Sequence, residues 1–330
     1  MAIPASLAAQ LSIPVIGSPL FIISNPDLVL AQCKAGVIGS FPSLNARPIE
    51  QLDEWLSRIN EELAAARRAN PAARIAPYAV NLIVHKSNNR IEQDLELCVK
   101  HKVPMIITSL GARTEVNDAI HSYGGMVLHD IINIVFAHKA LEKGADGLIA
   151  VSAGAGGHAG VLSPFALIQE IREFFDGPLA LSGSISTGAA VLAAQAMGAD
   201  FGYIGSAFIA TDEARAPDGY KDMIVASAAK DIVYSSLFTG VHGNYLSPSV
   251  AKAGMDPNNL PEGDKSTMNF ASGEGSKAKA WRDIWGSGQG IGAIKRREPA
   301  AVYIDRLKRE YDAARAKLMQ SSANFATKVG

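Results

Sequence analysis

Eight short apolar runs, alternating with helical segments, predict an α/β chain folded as a (β/α)8 TIM barrel. A glycine-dense loop with one histidine follows the sixth run, and two further glycine turns end the last two. A barrel gathers such strand ends on one face, so these three loops would meet there. Past Thr211 the alternation stops, which predicts a smaller, mainly helical inserted domain near the C-terminus. The expected division is a barrel over residues 1–212, an inserted cap or substrate domain over 213–282, and a return segment with a C-terminal helix over 283–330. A doubly wound open sheet uses the same local units, but the count of eight favours the barrel.

In order, Pro14–Ser18 reads as the first strand, ended by Pro19. Asn25-Pro-Asp27 caps a helix that runs to Lys34, and Ala35-Gly36 closes it. Val37–Phe41 is the second strand, and helical periodicity from Ile49 stops at Asn70, before Pro71. The third strand, Arg74–Val84, leads to the helix Ile91–His101, and the fourth, Pro104–Thr108, to Thr114–Ser122. Gly125–His129 precedes the helix Ile134–Lys143, and Gly147–Val151 leads into the histidine loop and then the helix Pro164–Phe175. Pro178–Ser182 and Phe201–Gly205 are separated by the alanine-rich helix Thr187–Met197. Glycine-, proline- and asparagine-rich stretches such as Asp256–Gly263 mark the insert. Pro299 onward is an amphipathic helix expected to pack back on the barrel through Val302, Ile304, Leu307 and Tyr311.

A chain of 330 residues can bury a sizeable core, and its 31 basic and 32 acidic residues nearly cancel. That balance gives no field for nucleic acid or an anionic membrane. Cys33 and Cys98 form neither a CxxC pair nor a disulfide framework. No charged leader precedes a long apolar core, and no apolar run is long enough to span a bilayer. The expectation is a soluble, cytoplasmic protein acting on a small molecule.

The histidine loop, Val151-Ser-Ala-Gly-Ala-Gly-Gly-His-Ala-Gly160, lets backbone approach a flat ligand where Gly154, Gly156, Gly157 and Gly160 carry no Cβ. It presents one imidazole, His158, able to act as base, acid or anion partner near neutrality. Ser182-Gly183-Ser184-Ile185 and Gly205-Ser206 end the last two strands, where such barrels bind phosphate through backbone N–H groups. Gly154-Ala-Gly156-Gly-His-Ala159 also fits a loose dinucleotide fingerprint, but the helix start at Ser163-Pro164 comes too late for it. Asn81, Ser109 and Gly111 end the third and fourth strands, where amide and hydroxyl groups suit a heterocycle. Gln289, inside Trp285-Gly-Ser-Gly-Gln-Gly-Ile-Gly292, supplies an amide to a ligand edge or belongs to a plain hinge. No His/carboxylate spacing supports a metal, so none is expected.

Pro14–Leu20, Ala35–Gly39, Val80-Asn-Leu82, Ala155–Gly160, Ser182–Ile185, Met197–Asp200, Gly205–Thr211 and Gly288-Gln-Gly290 occur together in this order. In that combination the chain resembles the nitronate monooxygenases, formerly called 2-nitropropane dioxygenases, from about residue 10 to about residue 295. The resemblance is weakest in the insert, where Phe238-Thr-Gly240 and Asn244-Tyr245 match. It implies FMN, with Ser182, Gly183, Gly205 and Ser206 at the phosphate and Pro19, Leu20, Phe21, Asn81 and Gln289 along the isoalloxazine ring. His158 matches the family histidine beside flavin and substrate. In such enzymes an alkyl nitronate gives an electron to FMN, and oxygen completes conversion to a carbonyl compound and nitrite.

The chain departs from the family at Gly17-Ser-Pro-Leu20, where relatives have glutamine-alanine-proline-methionine. Gly154 stands in place of a glutamate, and Asp130 in place of a frequent lysine. These changes bear on substrate choice and flavin tuning. NAD(P)H:quinone reductases and a flavin-dependent enoyl reductase share the fold and the histidine motif, which makes a quinone the alternative substrate. A non-catalytic barrel holding a phosphorylated metabolite is the third reading, and a homodimer is compatible with all three. A purine-nucleotide dehydrogenase barrel would need a cysteine on a mouth loop, whereas Cys33 and Cys98 fall in predicted helices.

Overall fold

The computed structural model describes residues 3–263 and 284–322. The main sheet has eight parallel strands: β1 (Val15–Gly17), β2 (Gly39–Pro42), β3 (Tyr78–Ile83), β4 (Met105–Ser109), β5 (Met126–Ile131), β6 (Gly147–Val151), β8 (Leu179–Ser182) and β9 (Phe201–Ile204). A two-residue strand, β7 (Gly157–His158), lies between β6 and β8 in the chain but outside this sheet. Pairing runs β1-β9-β8-β6-β5-β4-β3-β2. A bridge between Ile16 and Ile38, with Gly17 N–H donating to Ile38 O at 2.8 Å, closes the ring into a TIM barrel.

Around it lie α1 (Ala5–Ala8), α2 (Pro26–Lys34), α3 (Glu50–Ala69), α4 (Ile91–Lys100), α5 (Thr114–His121), α6 (Ile134–Glu142), α7 (Pro164–Arg172) and α8 (Gly188–Met197). Their starts follow from short polar side chains. Asn25, Asn133 and Thr187 accept hydrogen bonds from the backbone N–H of Leu28, Phe136 and Ala190, which start α2, α6 and α8. The third strand is shorter than its apolar run predicts because Pro77 has no N–H to donate, so pairing with β2 begins at Tyr78.

Alternate strand residues face inward. Ile16, Ile38, Ala79, Met105, Ile107, Leu128, Ile149, Ala180 and Phe201 form one interior cluster, to which Leu7 and Leu11 add apolar surface. Advancing two residues along the strands changes the chemistry. Asn81, Ser109, Asp130 and Ser182 stand where the next inward layer falls, so the carboxyl ends of the strands open on a polar floor.

Outside the ring, Asp94 on α4 is a buried acid. Its carboxylate accepts from Arg90 at 2.8 Å and from the Ser43 hydroxyl at 2.6 Å, with its side chain fully enclosed. Desolvation raises its pKa, against the lowering effect of Ser43 and Arg90. Asp94→Ala strips Arg90 of its partner and is expected to lower unfolding free energy by about 3 kcal/mol. Urea denaturation checks this, and a loss below about 1 kcal/mol would place the pair among the weak surface bridges.

After β9 the chain forms α9 (Ser206–Ile209) and α10 (Asp218–Ala226). The described portion of the expected insert is not mainly helical: beside α10 and α11 (Ser247–Lys252) it holds a hairpin of β10 (Ile232–Ser235) and β11 (Gly243–Leu246), and most of the rest is loop. Residues 264–283, which include the expected end of the insert at 282, lie outside the described residues. The final helix, α12 (Ala300–Ser322), packs on α8 as its periodicity predicts. Ile304 and Leu307 are buried, and the Tyr303 ring meets Phe208 edge-on at 5.2 Å. Val302, expected on the packed face, is exposed, and Tyr303 takes the buried position. Among the described residues no helix is long and apolar enough to cross a membrane.

Candidate active site

A cavity of about 260 Å³ opens at the carboxyl ends of the barrel strands. Three short segments form most of its wall: residues 18–23 after β1, residues 154–158 after β6, and residues 182–186 after β8. Gly205 and Ser206 after β9 and Gly286, Gly288 and Gly290 of the return segment complete it. The three glycine-dense loops singled out in the sequence therefore meet in one place. Ten expected site residues line the cavity: Pro19, Leu20, Phe21, Gly157, His158, Ser182, Gly183, Ser184, Gly205 and Ser206.

Three others do not. Asn81 and Ser109 are buried in the polar floor, where Asn81 Nδ2 donates to Ser109 Oγ at 2.7 Å and to Ile107 O at 3.0 Å. They lie on β3 and β4, while the cavity is lined from the ends of β1, β6, β8 and β9. Gln289 is exposed. Its backbone N–H donates to Gly154 O at 2.9 Å, which ties the return segment across the histidine loop.

His158 comes to the cavity by a route the sequence did not disclose. Its strand β7 pairs antiparallel with β11, Gly243 facing His158 and Asn244 facing Gly157. The histidine is thus held by the small sheet β10-β11-β7 as well as by the barrel. Asn244 Nδ2 donates to Ala155 O at 2.6 Å, and the Tyr234 hydroxyl donates to Ala159 O at 2.8 Å, fixing the loop on both sides. His158 Nε2 lies 2.9 Å from Thr239 Oγ1. The ring is half-buried, and desolvation pushes its pKa down to about 4, so it is neutral at neutral pH.

Electrostatics around the cleft are simple. Among the described residues no Asp or Glu lines it, five serines do (Ser18, Ser182, Ser184, Ser186 and Ser206), and Arg215 is the one permanent cation of the lining. The Arg215 guanidinium sits 5.6 Å from the Trp55 ring centroid. Asp130, half-buried in the floor, is held by Ser109 and the Leu110 N–H, and burial pushes its carboxyl up to about 6. It acts electrostatically on Tyr203, a lining residue. Cys33 and Cys98 are buried in α2 and α4, where desolvation raises both thiols, Cys33 to about 12. Neither can present a thiolate to the cleft.

Sequence reasoning missed Arg215, Tyr203, Tyr220 and Trp285. The last two form one wall, their rings stacked at 4.9 Å and 8°, with the Tyr220 hydroxyl donating to Gly286 O. An alternating Tyr203 on the ninth strand was a usable signal. Tyr220 comes from α10 and Arg215 and Trp285 from segments outside the named helices and strands, and their approach is a tertiary fact.

The geometry agrees with the comparisons to known proteins. The family model for nitronate monooxygenase matches residues 6–310. The nitronate monooxygenase of Paraburkholderia phytofirmans is 26% identical, covering 93% of this chain and 94% of that protein. The nitroalkane oxidase of Streptomyces ansochromogenes superimposes with a TM-score of 0.79 at 21% identity, over 95% of this chain and 100% of that one. FabK from Thermotoga maritima superimposes with a TM-score of 0.74 at 20% identity, over 95% and 97% of the two chains. With a family model spanning nearly its whole length, the chain belongs to the nitronate monooxygenase family and is an oxidoreductase.

Proposed function

We propose that the cleft binds FMN and oxidises alkyl nitronates with oxygen to carbonyl compounds and nitrite. The observation that carries this reading is the convergence of His158 with both late glycine loops on a single cavity. The cavity fits the group. Serine hydroxyls and backbone amides without a lining carboxylate suit a phosphate dianion, and at Gly183 a Cβ would stand 2.5 Å from Ser152 Oγ. Pro19, Leu20, Phe21, Ile185 and Ile209 offer apolar surface for a planar ring.

Ser182, Gly183, Ser184, Gly205 and Ser206 would hold the phosphate, and the segment after β1 would border the ring. When bound, FMN supplies the electron transfer and the reaction with oxygen. The chain's own residues orient the substrate, restrict water and move protons. A neutral His158 can take the α-proton of a neutral nitroalkane and so deliver the nitronate inside the cleft. Tyr220 and Trp285, both buried, give one side of the cleft an aromatic wall.

The test is an anaerobic visible spectrum of the purified protein before and after propane nitronate. Yellow protein whose oxidised flavin bands fade supports the reading. Bands that stay intact with the nitronate but bleach with a reduced nicotinamide would replace it with a quinone reductase. A colourless protein that added FMN does not restore would undo the cofactor assignment.

Asp130 gives a pH-dependent prediction. Its carboxyl is neutral below about 6 and anionic above it. An anion that acts on the lining residue Tyr203 opposes added negative charge on a cofactor in the cleft. Asp130→Asn should therefore raise the reduction potential of bound flavin at about pH 8 and leave it nearly unchanged at about pH 5. Spectroelectrochemical titration at both pH values checks this, and equal shifts at both would exclude a charge effect.

A further inference from the structure

We propose that Thr239 is a positioning residue that fixes His158 in the tautomer with its proton on Nε2. Thr239 lies in the turn between β10 and β11, nearly buried, while the neighbouring Phe238 ring packs edge-on against Tyr245 at 4.8 Å. Its hydroxyl has one proton to place and several groups around it. The Val241 carbonyl oxygen stands 2.9 Å from Thr239 Oγ1, and the Val241 N–H donates to the same atom at 3.3 Å. His158 Nε2 stands at 2.9 Å, and the Tyr245 hydroxyl contacts Thr239 as well.

Of these neighbours the carbonyl oxygen alone is unable to donate. The threonine proton therefore goes to Val241 O, because otherwise two oxygen lone pairs would face each other at hydrogen-bond distance. With that proton committed, the His158 contact is favourable only if Nε2–H donates to Thr239 Oγ1. A neutral imidazole that donates from Nε2 carries its basic lone pair on Nδ1. Nδ1 is then the atom that takes a proton.

The consequence deepens the reading of the cleft as a nitronate-oxidising site and rests on it. With a neutral nitroalkane the α-carbon–hydrogen bond breaks, an N–H bond forms at Nδ1, and the electron pair spreads over carbon and nitro group as the nitronate. The products of this step are nitronate and imidazolium, so the charges balance without a redox partner. Thr239 touches neither substrate nor reacting atom. It acts through His158, from a turn of the insert about 80 residues downstream in the chain.

Nitrogen-15 NMR of the histidine-labelled full-length protein reads the tautomer without any substrate, the His158 signals being assigned by their loss in His158→Gln. The expected result at neutral pH is a protonated Nε2 and an unprotonated Nδ1, shifting toward a mixture of tautomers in Thr239→Val and returning in Thr239→Ser. Turnover of neutral 2-nitropropane should fall about tenfold in kcat in Thr239→Val, the loss of one neutral hydrogen bond, and recover in Thr239→Ser. A proton on Nδ1 in the wild type overturns the proposal, as does a tautomer unaltered by Thr239→Val. The expected tautomer in a protein that turns over neither nitroalkane nor nitronate would leave the role of Thr239 standing and sink the reading of the function instead.

Discussion

Replacing His158 with alanine is expected to lower turnover of a neutral nitroalkane by about 100- to 10,000-fold while flavin stays bound. The size follows from the loss of the one imidazole that lines the cleft among the described residues. The retention of flavin follows from position, since the loops after β8 and β9 proposed to hold the phosphate are built without it. A preformed nitronate needs no proton removed, so it should suffer a smaller loss than the nitroalkane. That difference separates a base from a residue that only fills space. The pH profile of the wild type carries the same logic. Desolvation holds the ring down to about 4, so the base is unprotonated above that pH and is lost as pH falls through it. The acidic limb of kcat/KM for the nitroalkane should accordingly lie well below the ordinary histidine value of about 6.5. Steady-state rates with both substrate forms, set against flavin content from visible absorbance, provide the measurement. Unchanged turnover in His158→Ala, or loss of its flavin, would remove the histidine from the proposed role.

The barrel was legible because its strands carry a local signal. Runs such as Met105-Ile-Ile107 and Gly147–Val151 are apolar on both faces, as strands enclosed between a filled interior and a helix layer must be. The glycine loops were legible for a related reason, since their small residues interrupt strong apolar runs at a fixed place, the strand end. What escaped depends on contacts far apart in the chain. Gly157 and His158 have no alternation of their own to mark a strand, and they become one because Gly243 and Asn244 pair with them. Tyr220 and Trp285 reach one wall from segments 65 residues apart, and no periodicity announces it. Asn81 and Ser109 show a different limit. Their place on inward positions of the strands could be read, but not that their side chains would bond to each other rather than line the cavity.

Gly183→Val should weaken FMN binding on the order of 100-fold or more and yield a pale protein of native secondary structure. Gly183 has φ +143°, a backbone region that side-chain-bearing L residues rarely adopt. A Cβ there would lie 2.5 Å from Ser152 Oγ and 2.8 Å from Ala153 O, and the second contact is backbone that cannot rotate away. Relief requires the turn after β8 to move, and that turn carries Ser182 and Ser184, two of the hydroxyls assigned to the phosphate. Gly124 separates strain from position. It also has positive φ, at +84°, but a Cβ added to it meets nothing within 4 Å, and it lies between α5 and β5, outside the cleft lining. Gly124→Ala should cost about 1 kcal/mol of stability and keep the flavin. Isothermal titration of FMN into apoprotein, with far-ultraviolet circular dichroism of each variant, compares the two. Equal weakening by both substitutions would mean that general destabilisation, rather than the turn after β8, governs binding. Full affinity in Gly183→Val would move the phosphate away from this loop, because no side chain can be accommodated at residue 183 with the turn left where it is.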